Sequence, residues 1–173
     1  MADHFLNGVK TYIKKHKNEP FFLYYPMQQP HVPRTPHPRF EGISELGPRG
    51  DAIVEADWCL GELKKTLEAE GILENTLIIF SSDNGPVLND GYYDDADVKN
   101  GDHTPWGPFR GGKYSLFEAG THVPFFTYWK GKIQPGVSDA MVSQLDLLSS
   151  LAELVGSDVR TDDSLPLMDL LMG

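Results

Sequence analysis

Four consecutive apolar residues, Leu77-Ile78-Ile79-Phe80, lead without a polar interruption into Ser81-Ser82-Asp83-Asn84-Gly85. A run this short is of strand length, and its β-branched pair suits a strand buried on both faces of a parallel sheet. Such a strand obliges the rest of the chain to cover it with helices, so an α/β layered fold is expected. Open α/β sheets bind ligands just beyond the carboxyl ends of their strands, where Asp83 and Asn84 stand.

The flanking segments support that architecture. Phe5, Val9 and Ile13 recur every four residues with lysines between them, which predicts an amphipathic helix over 5–16, closed by Glu19-Pro20. Phe21-Phe22-Leu23-Tyr24-Tyr25 reads as a second buried strand. Residues 26–38 then carry five prolines, which exclude helix and sheet interior and leave a stiff loop departing from a strand end. Ile53, Ala56, Leu60, Leu63 and Leu67 keep helical spacing within 51–70, with Gly71 as the stop, and Cys59 on or beside that stripe reads as an inert core thiol.

Residues 86–111 are rich in Gly, Pro and Asp, a long loop of the kind that is functional or disordered. Strands are expected over 123–129 and 141–145, then a helix over 147–154 capped by Asp146 and stopped by Gly156. The closing stretch carries Leu165, Leu167, Leu170, Leu171 and Met172, an apolar set that needs a partner surface, one that could lie outside this chain. The element order predicts a single α/β domain with a mainly parallel sheet sandwiched by helices.

Charge narrows the partners. At a formal net charge of -10, the chain is a poor non-specific nucleic-acid binder and repels anions at long range, so an anionic substrate needs a local cationic cluster. No apolar run approaches a membrane span, and Met1-Ala2-Asp3-His4 shows no basic-then-apolar leader. A single cysteine excludes an internal disulfide and a thiolate metal cluster, and leaves the compartment undetermined.

Asp83 and Asn84 offer oxygen ligands, which suit calcium or magnesium better than zinc, yet two residues cannot saturate calcium, and Asp-Asn-Gly is equally a common turn. His31 sits in the proline-stiffened loop, where its ring could be fixed near the same sheet edge. His37, His103 and His122 default to surface positions. Arg110-Gly111-Gly112-Lys113 places two cations around a glycine pair through which backbone could approach an anion. It is not a phosphate-binding loop, because Tyr114 stands where Ser or Thr is required and no strand precedes it. Asp90, Asp94, Asp95, Asp97 and Asp102 match no EF-hand spacing and read as a solvated acidic loop.

Taken in order, Gln29-Pro30-His31-Val32-Pro33, the stretch from Thr76 to Gly85, and Arg110-Gly111-Gly112-Lys113 through Phe117-Glu118-Ala119-Gly120-Thr121-His122-Val123-Pro124 resemble the sulfatase family. The resemblance runs from about Pro20 to Gly173 and is nearest to bacterial arylsulfatases. It implies an alkaline-phosphatase-like fold and a sulfuric ester hydrolase acting on aryl or carbohydrate sulfates. By the same resemblance, Asp83 and Asn84 are two calcium ligands, Lys113 contacts a sulfate oxygen, and His31 faces the ester oxygen of the leaving group.

The family's nucleophile is a formylglycine made from a C/S-x-P-x-R motif, which this sequence lacks; Cys59 is followed by Leu60-Gly61-Glu62 and does not fit it. The early aspartate pair that completes the metal shell, an upstream lysine and histidine, and the small C-terminal subdomain are also missing. Residues 1–173 are therefore expected to be the C-terminal part of a sulfatase catalytic domain, inactive alone, with the rest of the parent chain as partner. The parent could be periplasmic or secreted. Ala119 and His122 stand where the family often has glycine and arginine. Two other readings remain: a phosphatase or phosphodiesterase of the same superfamily, and a non-catalytic module that binds sulfated glycans. The first is disfavoured because those enzymes place a zinc-binding histidine where Asn84 stands.

Overall fold

The computed structural model describes all 173 residues. Helices α1 (Ala2–His16), α2 (Gly47–Ala69), α3 (Ala96–Lys99), α4 (Glu118–Thr121), α5 (Leu147–Leu154) and α6 (Met168–Met172) accompany one sheet of two strands, β1 (Ile78–Ser81) and β2 (Phe125–Tyr128). The residues fall into two compact units, 1–73 with 81–125, and 74–80 with 126–173.

In the first unit, α1 forms as its spacing predicts, with Asp3 in its first turn and Lys14, Lys15 and His16 in its last, each sign matching the helix dipole. Its buried face is Ala2, Leu6, Val9 and Ile13, so Leu6 takes the place expected for Phe5. Ala2 and Leu6 meet Cys59 of α2, with Met27 and Trp58 packed against them. Lys10 Nζ reaches Glu62 Oε2 across the helix pair at 2.6 Å.

Helix α2 starts earlier than the apolar spacing suggested, because Pro48 is admissible in a first turn. Its inward face is Ala52, Glu55, Cys59, Thr66 and Leu67, while Ile53 is exposed. The expected stripe was thus turned aside by buried polar residues, Asp51 and Glu55 among them, whose carboxylates the interior accepts because they are satisfied. Glu55 takes hydrogen bonds from Gln29 Nε2 (2.9 Å) and His37 N (3.2 Å), tying both ends of the proline-rich loop to the helix. Asp51 takes three, from Gly42 N, Ser44 N and Ser44 Oγ. Gly71, at φ 74°, ends the helical run as expected, with Ile72 N donating back to Leu67 O.

Two expected strands are absent. Residues 21–25 are extended but join no sheet; Phe22 and Tyr24 are 73% and 78% exposed while their neighbours turn inward. The alternation is that of a strand, yet a strand needs a neighbour for its backbone groups, and this chain supplies none. Over 141–145 the chain is irregular until a 3-10 turn at Gln144–Asp146. Ser143 Oγ accepts from Leu145 N and Asp146 Oδ2 from Ser143 N, a capping box that commits these residues to a helix start. Asp146 therefore caps this turn rather than α5 directly.

In the second unit, Phe80 of β1 stacks on Phe126 of β2 at 4.9 Å between ring centroids. Trp129, nearly buried, donates its indole N–H to Glu74 O at 3.0 Å. Helix α5 spans the predicted residues and ends at Gly156, at φ 71°. The apolar tail finds only part of its cover within the chain: Met168 and Leu171 of α6 are buried, α6 packs against α5, and Thr127 Oγ1 donates to Leu171 O, while Leu165 and Leu170 stay exposed. The buried hydroxyls of Ser149 and Ser150 bond to Ser164 O and Asp146 O, while Ser150 Oγ also accepts from Leu167 N.

Candidate active site at the end of β1

Beyond β1, Ser82 N donates to Pro124 O and Gly85 N to Gly120 O, so the segments 82–85 and 120–124 run in opposite directions side by side. The next bond, from Lys113 N to Pro86 O at 2.9 Å, seats Lys113 against the strand exit. Three glycines make this approach possible. A Cβ on Gly85 would lie 1.7 Å from Ala119 O, one on Gly112 2.5 Å from Pro86 O, and one on Gly120 2.2 Å from Ser115 O. The Gly112 backbone is thus filled by protein rather than opened to an anion, and its partner cation is diverted: Arg110 stacks over the Phe117 ring at 3.9 Å.

Lys113 and His31, 82 residues apart, come together: Lys113 Nζ lies 3.2 Å from His31 Nε2. His31 Nδ1 is 2.7 Å from Val32 O. A carbonyl only accepts, so Nδ1 carries the proton and Nε2 presents its lone pair to the ammonium. Asp90 completes the cluster, with Oδ2 3.2 Å from Lys113 Nζ and 3.9 Å from His31 Nε2, and Oδ1 accepting from Tyr114 OH at 2.5 Å. The Tyr114 hydrogen bond is the main influence holding the Asp90 carboxyl below its usual range; burial opposes it, and Lys113 assists. Burial works to lower the Lys113 pKa, but the hydrogen bond and charge of Asp90 outweigh it, leaving the ammonium above its ordinary value.

Asp83 and Asn84 stand at the strand exit and are bonded to neither His31 nor Lys113. Asp83 is exposed, and no hydrogen bond or ion pair engages its carboxylate. Asn84 Nδ2 donates to Gly85 O at 2.8 Å, which commits the amide nitrogen and leaves Oδ1 as the outward atom. Uncommitted oxygens on these two residues fit a hard cation, and no group of three His, Cys, Asp or Glu in this chain gathers into a fuller metal site.

The acidic loop is not simply solvated. Asp94 pairs with Arg34 at 2.9 Å, and the same buried guanidinium donates to Pro30 O, Val87 O and Leu88 O. Arg34 therefore clamps the His31 loop to the loop that carries Asp90. Asp95 stays outside, pairing with Lys99 at 3.3 Å. His37 and His103 are exposed, as is His122, whose ring stacks on Phe109 and meets Glu118. Sequence reading missed Arg34, Glu55 and Asp90; the only signal for Arg34 was a lone cation inside a proline-rich loop.

The sulfatase family model matches residues 1–157, and the chain belongs to the sulfatase family, hydrolases acting on sulfate esters. An N-acetylgalactosamine-6-O-sulfatase of Bacteroides thetaiotaomicron is 48% identical over 176 aligned residues, covering 100% of this chain and 34% of that protein. Human arylsulfatase A is 36% identical over 91% of this chain and 30% of its own length. Among solved structures, a Bacteroides thetaiotaomicron sulfatase described with glycosaminoglycan metabolism superposes at a TM-score of 0.96 with 48% identity, over 99% of this chain and 36% of that one. A Pseudoalteromonas sulfatase gives 0.83 with 31% identity, over 97% and 33%. These relatives have the alkaline-phosphatase-like fold, and the present helices and small sheet are part of it. The chain spans about a third of the length of the curated relatives it matches.

Proposed function

We propose that this chain carries the leaving-group side and part of the metal side of a sulfuric ester hydrolase whose substrate is a sulfated sugar, an N-acetylgalactosamine 6-sulfate or a close relative. The observation that carries the reading is the meeting of Lys113 and His31 at 3.2 Å beside the exit of β1. The substrate class rests on the 48% identity to an N-acetylgalactosamine-6-O-sulfatase.

In this reading, residues 1–173 are the C-terminal part of the catalytic domain and are inactive alone. When bound, a calcium ion shared by Asp83 and Asn84 supplies positive charge at the sulfate, and a formylglycine from the remaining polypeptide supplies the attacking oxygen. Lys113 donates an N–H to a sulfate oxygen as negative charge develops there, the task for which a preoriented cation is most effective. In the substrate-free chain His31 Nε2 presents its lone pair to Lys113; it takes up a proton from solvent before the chemical step, and as the S–O ester bond breaks the bonding pair stays on the sugar oxygen and takes that proton. With a net charge of -10 on the chain, the local cation at Lys113 is what admits an anionic group.

The test is kinetic, in the parent enzyme with its nucleophile in place. Lys113→Ala lowers kcat/KM about a hundredfold or more on both sugar and aryl sulfates. His31→Ala costs about 100-fold or more on the sugar sulfate and much less on nitrophenyl sulfate, whose phenoxide leaves without a proton. Equal losses on both substrates refute the leaving-group role of His31, and full turnover by the 173-residue chain alone refutes the division of the site.

A further inference from the structure

Resting on that reading of Lys113, we propose that Asp90 is a positioning residue: pinned by Tyr114, it fixes the Lys113 ammonium so that one N–H remains for the substrate. An ammonium has three N–H donors and no acceptor. Here one is directed to His31 Nε2 and one to Asp90 Oδ2, both at 3.2 Å. The two partners define the rotation of the group and leave the third donor, which has only the Tyr114 hydroxyl nearby, to be aimed. A lysine on its flexible stem otherwise loses substantial rotamer freedom each time it binds. Holding it beforehand transfers that cost to folding.

Asp90 is itself held. Its other oxygen accepts from Tyr114 OH, and Tyr114 adopts a left-handed backbone at φ 74° although the residue is 80% exposed. A bulky residue in that region is uncommon and strained, and such residues persist where the surroundings demand them. Little apolar burial offsets the cost at Tyr114. The demand met here is the hydroxyl on Asp90, next to the Lys113 ammonium, which lies 5.2 Å from the Tyr114 ring centroid. Farther back, Arg34 holds the loop ends on either side through Pro30 O, Val87 O and Leu88 O.

Asp90 also opposes substrate, since a carboxylate beside Lys113 offsets the charge that attracts sulfate. The two roles predict different variants. If orientation dominates, Asp90→Ala in the parent enzyme lowers kcat at least tenfold with KM within threefold, Asp90→Asn restores at least a third of kcat because its amide oxygen still accepts from Lys113, and Tyr114→Phe lowers kcat about threefold. If Asp90 acts only as a competing anion, both Asp90 variants lower KM and leave kcat unchanged, which overturns the proposal. A second measurement does not depend on turnover: the order parameter of the Lys113 amine by 15N relaxation in the 173-residue protein. Asp90→Ala lowers it and Asp90→Asn preserves it; no change in Asp90→Ala overturns the proposal. Absence of sulfate hydrolysis by the wild-type parent would refute the function while leaving this measurement to decide the inference.

Discussion

Replacing Gly85 by alanine sets backbone against backbone at the point where β1 hands the chain to the site. The new Cβ would lie 1.7 Å from Ala119 O, 2.8 Å from the Ala119 carbonyl carbon and 2.9 Å from Gly120 Cα. An ordinary carbon–oxygen approach is about 3.3 Å, so the two segments must part by about 1.6 Å. No side-chain rotation relieves this. The parting breaks the Gly85–Gly120 bond and strains the Lys113–Pro86 bond, both 2.9 Å long. Overpacking costs about 1–3 kcal/mol, and each lost hydrogen bond about 0.5–1.5 kcal/mol, so the total is about 2–6 kcal/mol. With a urea slope of about 2 kcal/mol/M, the midpoint followed by far-ultraviolet circular dichroism falls by about 1–3 M. Gly61→Ala is the control of opposite sign. It lies in α2 with nothing within 4 Å of its Cβ position, and alanine there adds about 0.5–1 kcal/mol. A Gly85→Ala midpoint within about 0.3 M of wild type would show that the close approach is not required.

Two further outcomes concern buried polar groups. Cys59 is fully buried, and burial pushes its thiol up, so a thiol reagent labels it roughly a hundredfold more slowly in native protein than in urea; equal rates would contradict the core assignment. Burial works to raise the Asp51 carboxyl, but the hydrogen bonds from Ser44 and Gly42 outweigh it, and its folded pKa lies below the ordinary value. That stability is present above about pH 4 and is lost as pH falls through the folded value. The urea midpoint of the wild type therefore drops more steeply below pH 4 than that of Asp51→Asn, and parallel acid limbs would refute the assignment.

What the sequence shows, and what it hides, follows from how each feature is encoded. Helix α1 was legible from its amphipathic period, and the ends of α2 and α5 from a glycine stop, which are local signals: Gly71 and Gly156 mark those two ends in the left-handed region. His31, Asp83, Asn84 and Lys113 were singled out as candidates only as motifs in family order. No periodicity pointed to them. The strand at 21–25 was misread because an unbroken apolar run reports only side-chain character, whereas a sheet is defined by a partner's backbone. The stripe on α2 was misread for a different reason. An apolar count assumes that charge stays out, and Glu55 is buried because Gln29 and the His37 backbone meet it.

The same reasoning explains why Asp90 passed as a solvated acid. Its partners are 23 and 24 residues downstream, and nothing in a stretch holding Asp90, Asp94, Asp95, Asp97 and Asp102 says which carboxylates meet a cation. The selection is made by Arg34, whose one guanidinium bonds Asp94 and three carbonyls from two loops. A loop cannot be fixed by apolar burial along its length, since its backbone groups also need partners. A planar fork with five donors answers both needs at one point, where a lysine would answer neither as well. Once Arg34 has set Val87 and Leu88, Asp90 lies only two residues further on. Its carboxylate then reaches Lys113, which the three close-packed glycines have brought to the strand exit from the other side. The candidate site is therefore the meeting of two separately pinned loops, and the sequence pointed to His31 and Lys113 before it disclosed the pins.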